Sequence, residues 1–193
     1  MNAILKHLHL KHLSTKNYNK SMFNWLKDLF HHPKTSTREK WISGVVATVY
    51  IFGLGMLGGR MSPSTQAFYE ALQKPSLNPP SWVFPIAWTI LFSLIAWSGY
   101  QGWNYFTTER LRKIFAYLYA VNGLLVYLWS FTFFEKQSIL GALYVIVAMV
   151  IVIELMILTA FKSNQKAAYA LLPYFIWVLF AAYLNISIVA LNP

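Results

Sequence analysis

Apolar residues in this chain run in long blocks and do not alternate with polar ones. Five segments, 41–59, 82–103, 114–134, 137–161 and 169–190, are uncharged or nearly so. A helix rises about 1.5 Å per residue, so about 20 residues cross a hydrocarbon layer about 30 Å thick. Each segment is long enough to do that with some tilt. Backbone amides in lipid must be paired within their own segment, which makes helices the default. Strands of a membrane barrel would alternate apolar and polar positions over about ten residues, and the run Val145–Ile153 (VIVAMVIVI) shows no such alternation. The pattern predicts an all-α integral membrane protein: one bundle of five transmembrane helices over residues 41–193, preceded by a different kind of segment over residues 1–40.

Composition sharpens that picture. The chain is 57% hydrophobic, 18% aromatic and 11% charged, against about 25% charged in an average soluble domain. From Pro75 to Thr108 there are 34 residues without a charge, and they hold Trp82, Trp88, Trp97 and Trp103. There is no cysteine, so disulfides and thiolate metal sites are excluded. Neither a metal nor a nucleic-acid partner is expected.

The formal charge of +10 is unevenly spread: eight of the sixteen basic residues and all five histidines lie in residues 1–40. That extension reads as a disordered or membrane-surface tail. An organellar targeting peptide is the other reading, weakened because residues 1–27 contain no arginine. With five spans, the N-terminal extension and the loops near 104–113 and 162–168 share one side and carry thirteen basic residues, against Arg60, Lys74 and Lys136 on the other. The positive-inside rule then predicts a cytoplasmic N-terminus in a bacterial inner membrane, with the mitochondrial outer membrane as the alternative. The loop Arg60–Ser81 carries Pro63, Pro75, Pro79 and Pro80, a stiff connection suited to capping one end of the bundle.

Polar and deep aromatic residues within the spans are the candidate site, because polar groups in lipid are costly unless paired or wet. Asn122 lies in the third span, and Trp129, seven residues on, faces nearly the same way. In the fifth span Tyr174, Trp177 and Ala181 share a face, with Asn185 one turn beyond. Trp88 and Phe92 share a face of the second span, and Trp97, nine residues from Trp88, points away. Trp41, Trp82 and Trp103 sit at span ends, where indoles anchor to the membrane surface. The deeper Trp88, Trp129 and Trp177, with Asn122, point to an aromatic pocket for a flat, apolar ligand. Glu154 stands alone in the fourth span, as a proton or ligand site or as a neutral residue at a subunit contact. Gly55-x-x-x-Gly59 and Ala116-x-x-x-Ala120 with Gly123 carry the spacing of close helix approach, and the second motif is the expected homodimer seam.

Three blocks of this sequence resemble the TspO/MBR family of tryptophan-rich sensory and translocator proteins. They are Phe68–Trp88 (FYEALQKPSLNPPSWVFPIAW), Asn122 followed by Trp129-Ser130 and Phe133-Phe134, and Pro173–Asn185 (PYFIWVLFAAYLN). The resemblance runs from about Trp41 to Asn192. It implies a five-helix, usually dimeric fold that binds porphyrins and isoquinoline-type drugs under the first loop. Carried over by motif, the lining would be Tyr69, Pro79, Pro80, Trp88, Asn122, Trp129, Trp177 and Ala181. Leu77 stands where tryptophan is usual, and the sterol-recognition pattern is absent.

The leading expectation is a membrane receptor for porphyrins or similar flat ligands, linked to tetrapyrrole or stress regulation, with porphyrin as ligand and no cofactor. A light- and oxygen-dependent porphyrin-degrading enzyme, with Trp88 and Trp177 as the reactive pair, is the first alternative. A porphyrin or sterol transporter is the second. No acid, base or nucleophile set for ordinary catalysis is visible within the spans.

Overall fold

The computed structural model describes residues 35–58 and 63–193, so the expectations for residues 1–34 lie outside the described residues. The described chain is helical. It comprises α1 (Thr37–Gly58), α2 (Pro63–Ala71), α3 (Val83–Tyr105), α4 (Glu109–Ser130), α5 (Ile139–Phe161) and α6 (Gln165–Leu191). A π turn, Phe131–Glu135, prolongs α4. All but α2 are long and apolar enough to cross a membrane.

The charge pattern predicts three of these helices to begin several residues later than they do. The cause is local capping. Ser36 Oγ accepts the Glu39 N–H at 3.2 Å and the Glu39 carboxylate accepts the Ser36 N–H at 2.7 Å, a reciprocal box that starts α1 inside the basic extension. Thr108 Oγ1 accepts the Leu111 N–H at 3.3 Å, and Asn164 Oδ1 accepts the Lys166 N–H at 3.0 Å. First turns are polar because they stand at the water boundary, so hydropathy alone starts the helix too late. Within the loop, residues 63–71 are helical where only a stiff connection is expected. Pro63 opens the nine-residue α2, a position where its missing N–H costs nothing.

The five long helices close a ring: α1 packs on α3 and α4, α3 on α6, α6 on α5, and α5 on α4. Small residues set the tightest approaches. A methyl group on Gly55 would sit 2.2 Å from the Phe92 ring, and one on Gly123 would sit 2.3 Å from Tyr50. Gly59, the other half of the first small-residue motif, is outside the described residues.

Several polar ties across the ring run from side chains to backbone carbonyls. Ser98 Oγ donates to Ala167 O at 2.9 Å, Tyr119 Oη to Ala47 O at 3.2 Å, and Tyr50 Oη to Ala120 O. Asn185 Nδ2 donates to Ile139 O at 3.0 Å. At the end where α1 begins, Asn104 Nδ2 donates to Ser43 Oγ at 2.6 Å and Asn164 Nδ2 to Gln101 Oε1 at 3.0 Å. α2, the proline loop, the π turn and the end of α6 gather at the opposite end.

Candidate ligand-binding site

The candidate site is built on α3, α4 and α6, and α2 caps that end of the bundle by seating on the π turn. At its deepest level lies Asn122, which is fully buried. The Tyr174 hydroxyl donates to Asn122 Oδ1 at 3.0 Å, and Tyr174 is itself fully buried. Trp88 meets Tyr174 edge-on, with ring centroids 6.3 Å apart, and lies 5.1 Å from Phe92. The tyrosine occupies one oxygen of the asparagine amide. Its nitrogen, Asn122 Nδ2, is buried without a hydrogen-bond partner. Buried donors are paired in most structures, so this one is a candidate point for an acceptor.

The next level towards the cap holds Trp177 and Ala181, each half-buried. Trp177 packs against Phe84 at 6.1 Å and Phe180 at 5.8 Å. Trp129 donates its indole N–H to Asn185 Oδ1 at 3.2 Å and stacks on Phe133 at 5.4 Å and 22°. Asn185 thus ties α4, α5 and α6 together and fixes the plane of Trp129. Trp88, Trp129, Trp177 and Ala181 all pack against one core cluster.

Tyr69 projects from α2 onto Phe133 and Phe134, at 6.4 and 6.1 Å. Its hydroxyl donates to Asn78 Oδ1 at 3.4 Å, and Lys74 Nζ lies 4.7 Å over its ring. Pro79 is half-buried, whereas Pro80 is exposed and accepts the Val83 N–H at 3.0 Å where the loop turns into α3. Pro80 therefore shapes the loop from its outer side. Trp129 connects the levels, because it packs against both the main core and the smaller cluster that contains Tyr69.

Two residues of the sequence reading stand elsewhere. Gly123 is buried against Tyr50 of α1, so its missing side chain makes room for a contact within the chain. Of the expected seam only Ala120 is exposed, and Ala116 is half-buried. Glu154 is exposed on the outer face of α5 beside the outward-facing Ile151, Leu155 and Leu158, away from Asn122 and the tryptophans. The anchors Asn185 and Phe133 carry more of the architecture than sequence reasoning assigned them. Their signal was spacing: Asn185 continues the Tyr174–Ala181 face, and Phe133 follows Trp129 by four residues.

Comparison with known proteins agrees with this architecture. The family model described as TspO/MBR family matches residues 45–191. The chain is 38% identical to the tryptophan-rich protein TspO of Chlorobaculum tepidum over 72% of this chain and 89% of that protein. It is 34% identical to the protein of the same name from Archaeoglobus fulgidus, over 77% of this chain and 95% of the relative. The translocator protein of Sus scrofa is 31% identical over 61% of this chain and 70% of its own length. Five spanning helices and these likenesses make this an integral, multi-pass membrane protein whose surroundings are a lipid bilayer.

Proposed function

The chain belongs to the TspO/MBR family, and from that premise we propose that it is a membrane receptor for porphyrins and similar flat, largely apolar ligands, linked to tetrapyrrole or stress regulation. One observation carries the reading: the unpaired, fully buried Asn122 Nδ2, next to the Tyr174 hydroxyl and the edge of Trp88. A ring system entering from the capped end would stack against Trp88, Trp129 and Trp177, since aromatic faces favour offset or edge-on aromatic partners. An acceptor on the ligand would take the free Asn122 hydrogen. Tyr69 and Pro79 would close over it, with Ala181 leaving room on α6. Names among the relatives, such as "Tryptophan-rich sensory protein" from Cereibacter sphaeroides, favour a sensing role.

The same proposal places the N-terminus in the cytoplasm of a bacterial inner membrane. Among the described residues, Arg38, Lys40, Arg110, Arg112, Lys113, Lys162 and Lys166 gather at the end where α1 begins, and Lys74 and Lys136 at the other. It also includes a homodimer, formed on the outer side of α4 at Ala116 and Ala120.

Titration of the purified protein with protoporphyrin IX, read by tryptophan emission, tests the reading. Binding should quench the emission, and the double variant Trp88→Phe, Trp177→Phe should bind at least about tenfold more weakly. Unchanged affinity in that variant removes the aromatic pocket.

A further inference from the structure

A pair of hydrogen bonds fastens the cap to the end of α6. Asn192 lies one residue beyond α6. Its Oδ1 accepts the Gln73 N–H at 2.9 Å, and its Nδ2 donates to the Gln73 carbonyl at 2.9 Å. A side-chain amide here pairs with a main-chain amide 119 residues away, as one strand residue pairs with another. Asn192 is itself held. Its backbone N–H donates to Ile188 O at 3.0 Å, and Nδ2 also donates to that carbonyl at 2.8 Å. The side chain is thus anchored on the rigid end of α6 while it grips the cap.

Gln73 sits between the two parts of the cap. Just before it, α2 presents Phe68 and Tyr69 to Phe133 across ring contacts of 6.0 and 6.4 Å. Just after it, Lys74 returns to the carbonyls of Glu70 and Leu72 at 3.2 and 3.0 Å, so the turn following α2 is internally tied. Ring packing of Phe68 and Tyr69 on Phe133 also holds the cap down, through contacts that tolerate more sliding than a paired amide does. The Asn192 pair is a directional tie, and it joins the end of α6 to the residue that follows α2 by two, four positions after Tyr69.

We propose that Asn192 is a positioning residue that latches the cap shut over the end of the bundle, so that opening the site requires this pair to break. The part that concerns ligand passage rests on the binding site proposed above; the latch itself does not.

The experiment is hydrogen–deuterium exchange on the full chain in nanodiscs, comparing the wild type with Asn192→Ala and Asn192→Asp. A parallel stopped-flow measurement follows tryptophan quenching by protoporphyrin IX. Asn192→Ala should raise exchange over residues 64–78, the Gln73 amide included. It should also speed both association and dissociation by roughly five- to tenfold, as expected for losing two hydrogen bonds, with a much smaller change in affinity. Asn192→Asp keeps an acceptor for the Gln73 N–H but turns a carboxylate oxygen towards the Gln73 and Ile188 carbonyls, so it should open the cap at least as far as Asn192→Ala. Unchanged exchange in Asn192→Ala overturns the latch. Raised exchange with unchanged rates overturns the passage of ligand past the cap. If the wild type shows no quenching at all, the binding proposal falls, and the exchange comparison still decides the latch.

Discussion

Tyr174 and Asn122, 52 residues apart in sequence, form a fully buried hydroxyl-to-amide hydrogen bond of 3.0 Å at the centre of the ring. Neither residue is stable there alone. An unpaired polar group buried in a dry interior costs about 1–3 kcal/mol, and lipid on the outer side supplies no substitute.

Each single removal should therefore be costly. Tyr174→Phe leaves both ends of the Asn122 amide unpaired, and Asn122→Leu strands the tyrosine hydroxyl. We expect losses of about 1–3 kcal/mol for each, and a smaller loss than their sum for the double variant, because both partners are then apolar. Thermal unfolding in detergent across the four proteins reads the cycle. Asn122→Leu should also weaken protoporphyrin IX binding, whereas strict additivity with intact binding would deny the pair its role.

Trp129 should be sensitive through its nitrogen as well as its ring. Trp129→Phe keeps an aromatic face against Phe133 and leaves Asn185 Oδ1 without its donor. A loss of about 1 kcal/mol is expected. Asn185→Ala should cost more, since it also removes the tie to Ile139. The two melting temperatures, measured side by side, give the ordering.

Helix contacts set by glycine can be separated from helix propensity by three alanine variants. Gly55→Ala and Gly123→Ala insert a methyl against Phe92 and Tyr50, and each should destabilise by about 1–3 kcal/mol. Gly53→Ala meets nothing within 4 Å and should be neutral, or stabilising by up to about 1 kcal/mol. If all three behave alike in thermal denaturation, the close approaches are not what the ring depends on.

Glu154 offers the complementary control. It faces outward among apolar side chains, where an ionised carboxylate costs about 2.5–3.5 kcal/mol on insertion scales. Glu154→Leu should leave protoporphyrin IX affinity unchanged and should raise, not lower, thermal stability. A binding defect in that variant would return Glu154 to the functional site.

Much of this was legible in the sequence wherever periodicity alone decides direction. The nine-residue offset between Trp88 and Trp97 separates them: Trp88 packs on Tyr174, while Trp97 stacks on Tyr100 and is 49% exposed. Tyr174, Trp177, Ala181 and Asn185 follow one face of α6 as their spacing requires. What was hidden is partnership. A helical period says which way Asn122 points, but not that Tyr174 answers it from another helix. The small residues near Ala120 announce close approach without naming the neighbour, and at Gly123 the neighbour is Tyr50 of the same chain. α2 escaped notice because nine residues that include a glutamate carry too little apolar pattern to register as a helix.

The ties that end on main-chain oxygens have an evolutionary corollary. Every residue displays a carbonyl, so the bonds themselves ask nothing of the side chains at Ala167, Ala47, Ala120 and Ile139, although burial keeps Ala47 and Ala167 small. The giving positions Ser98, Tyr119, Tyr50 and Asn185 have no such licence. Half of each clasp is chemically indifferent to the side chain it lands on, and the demand for a donor falls on the hand that reaches out.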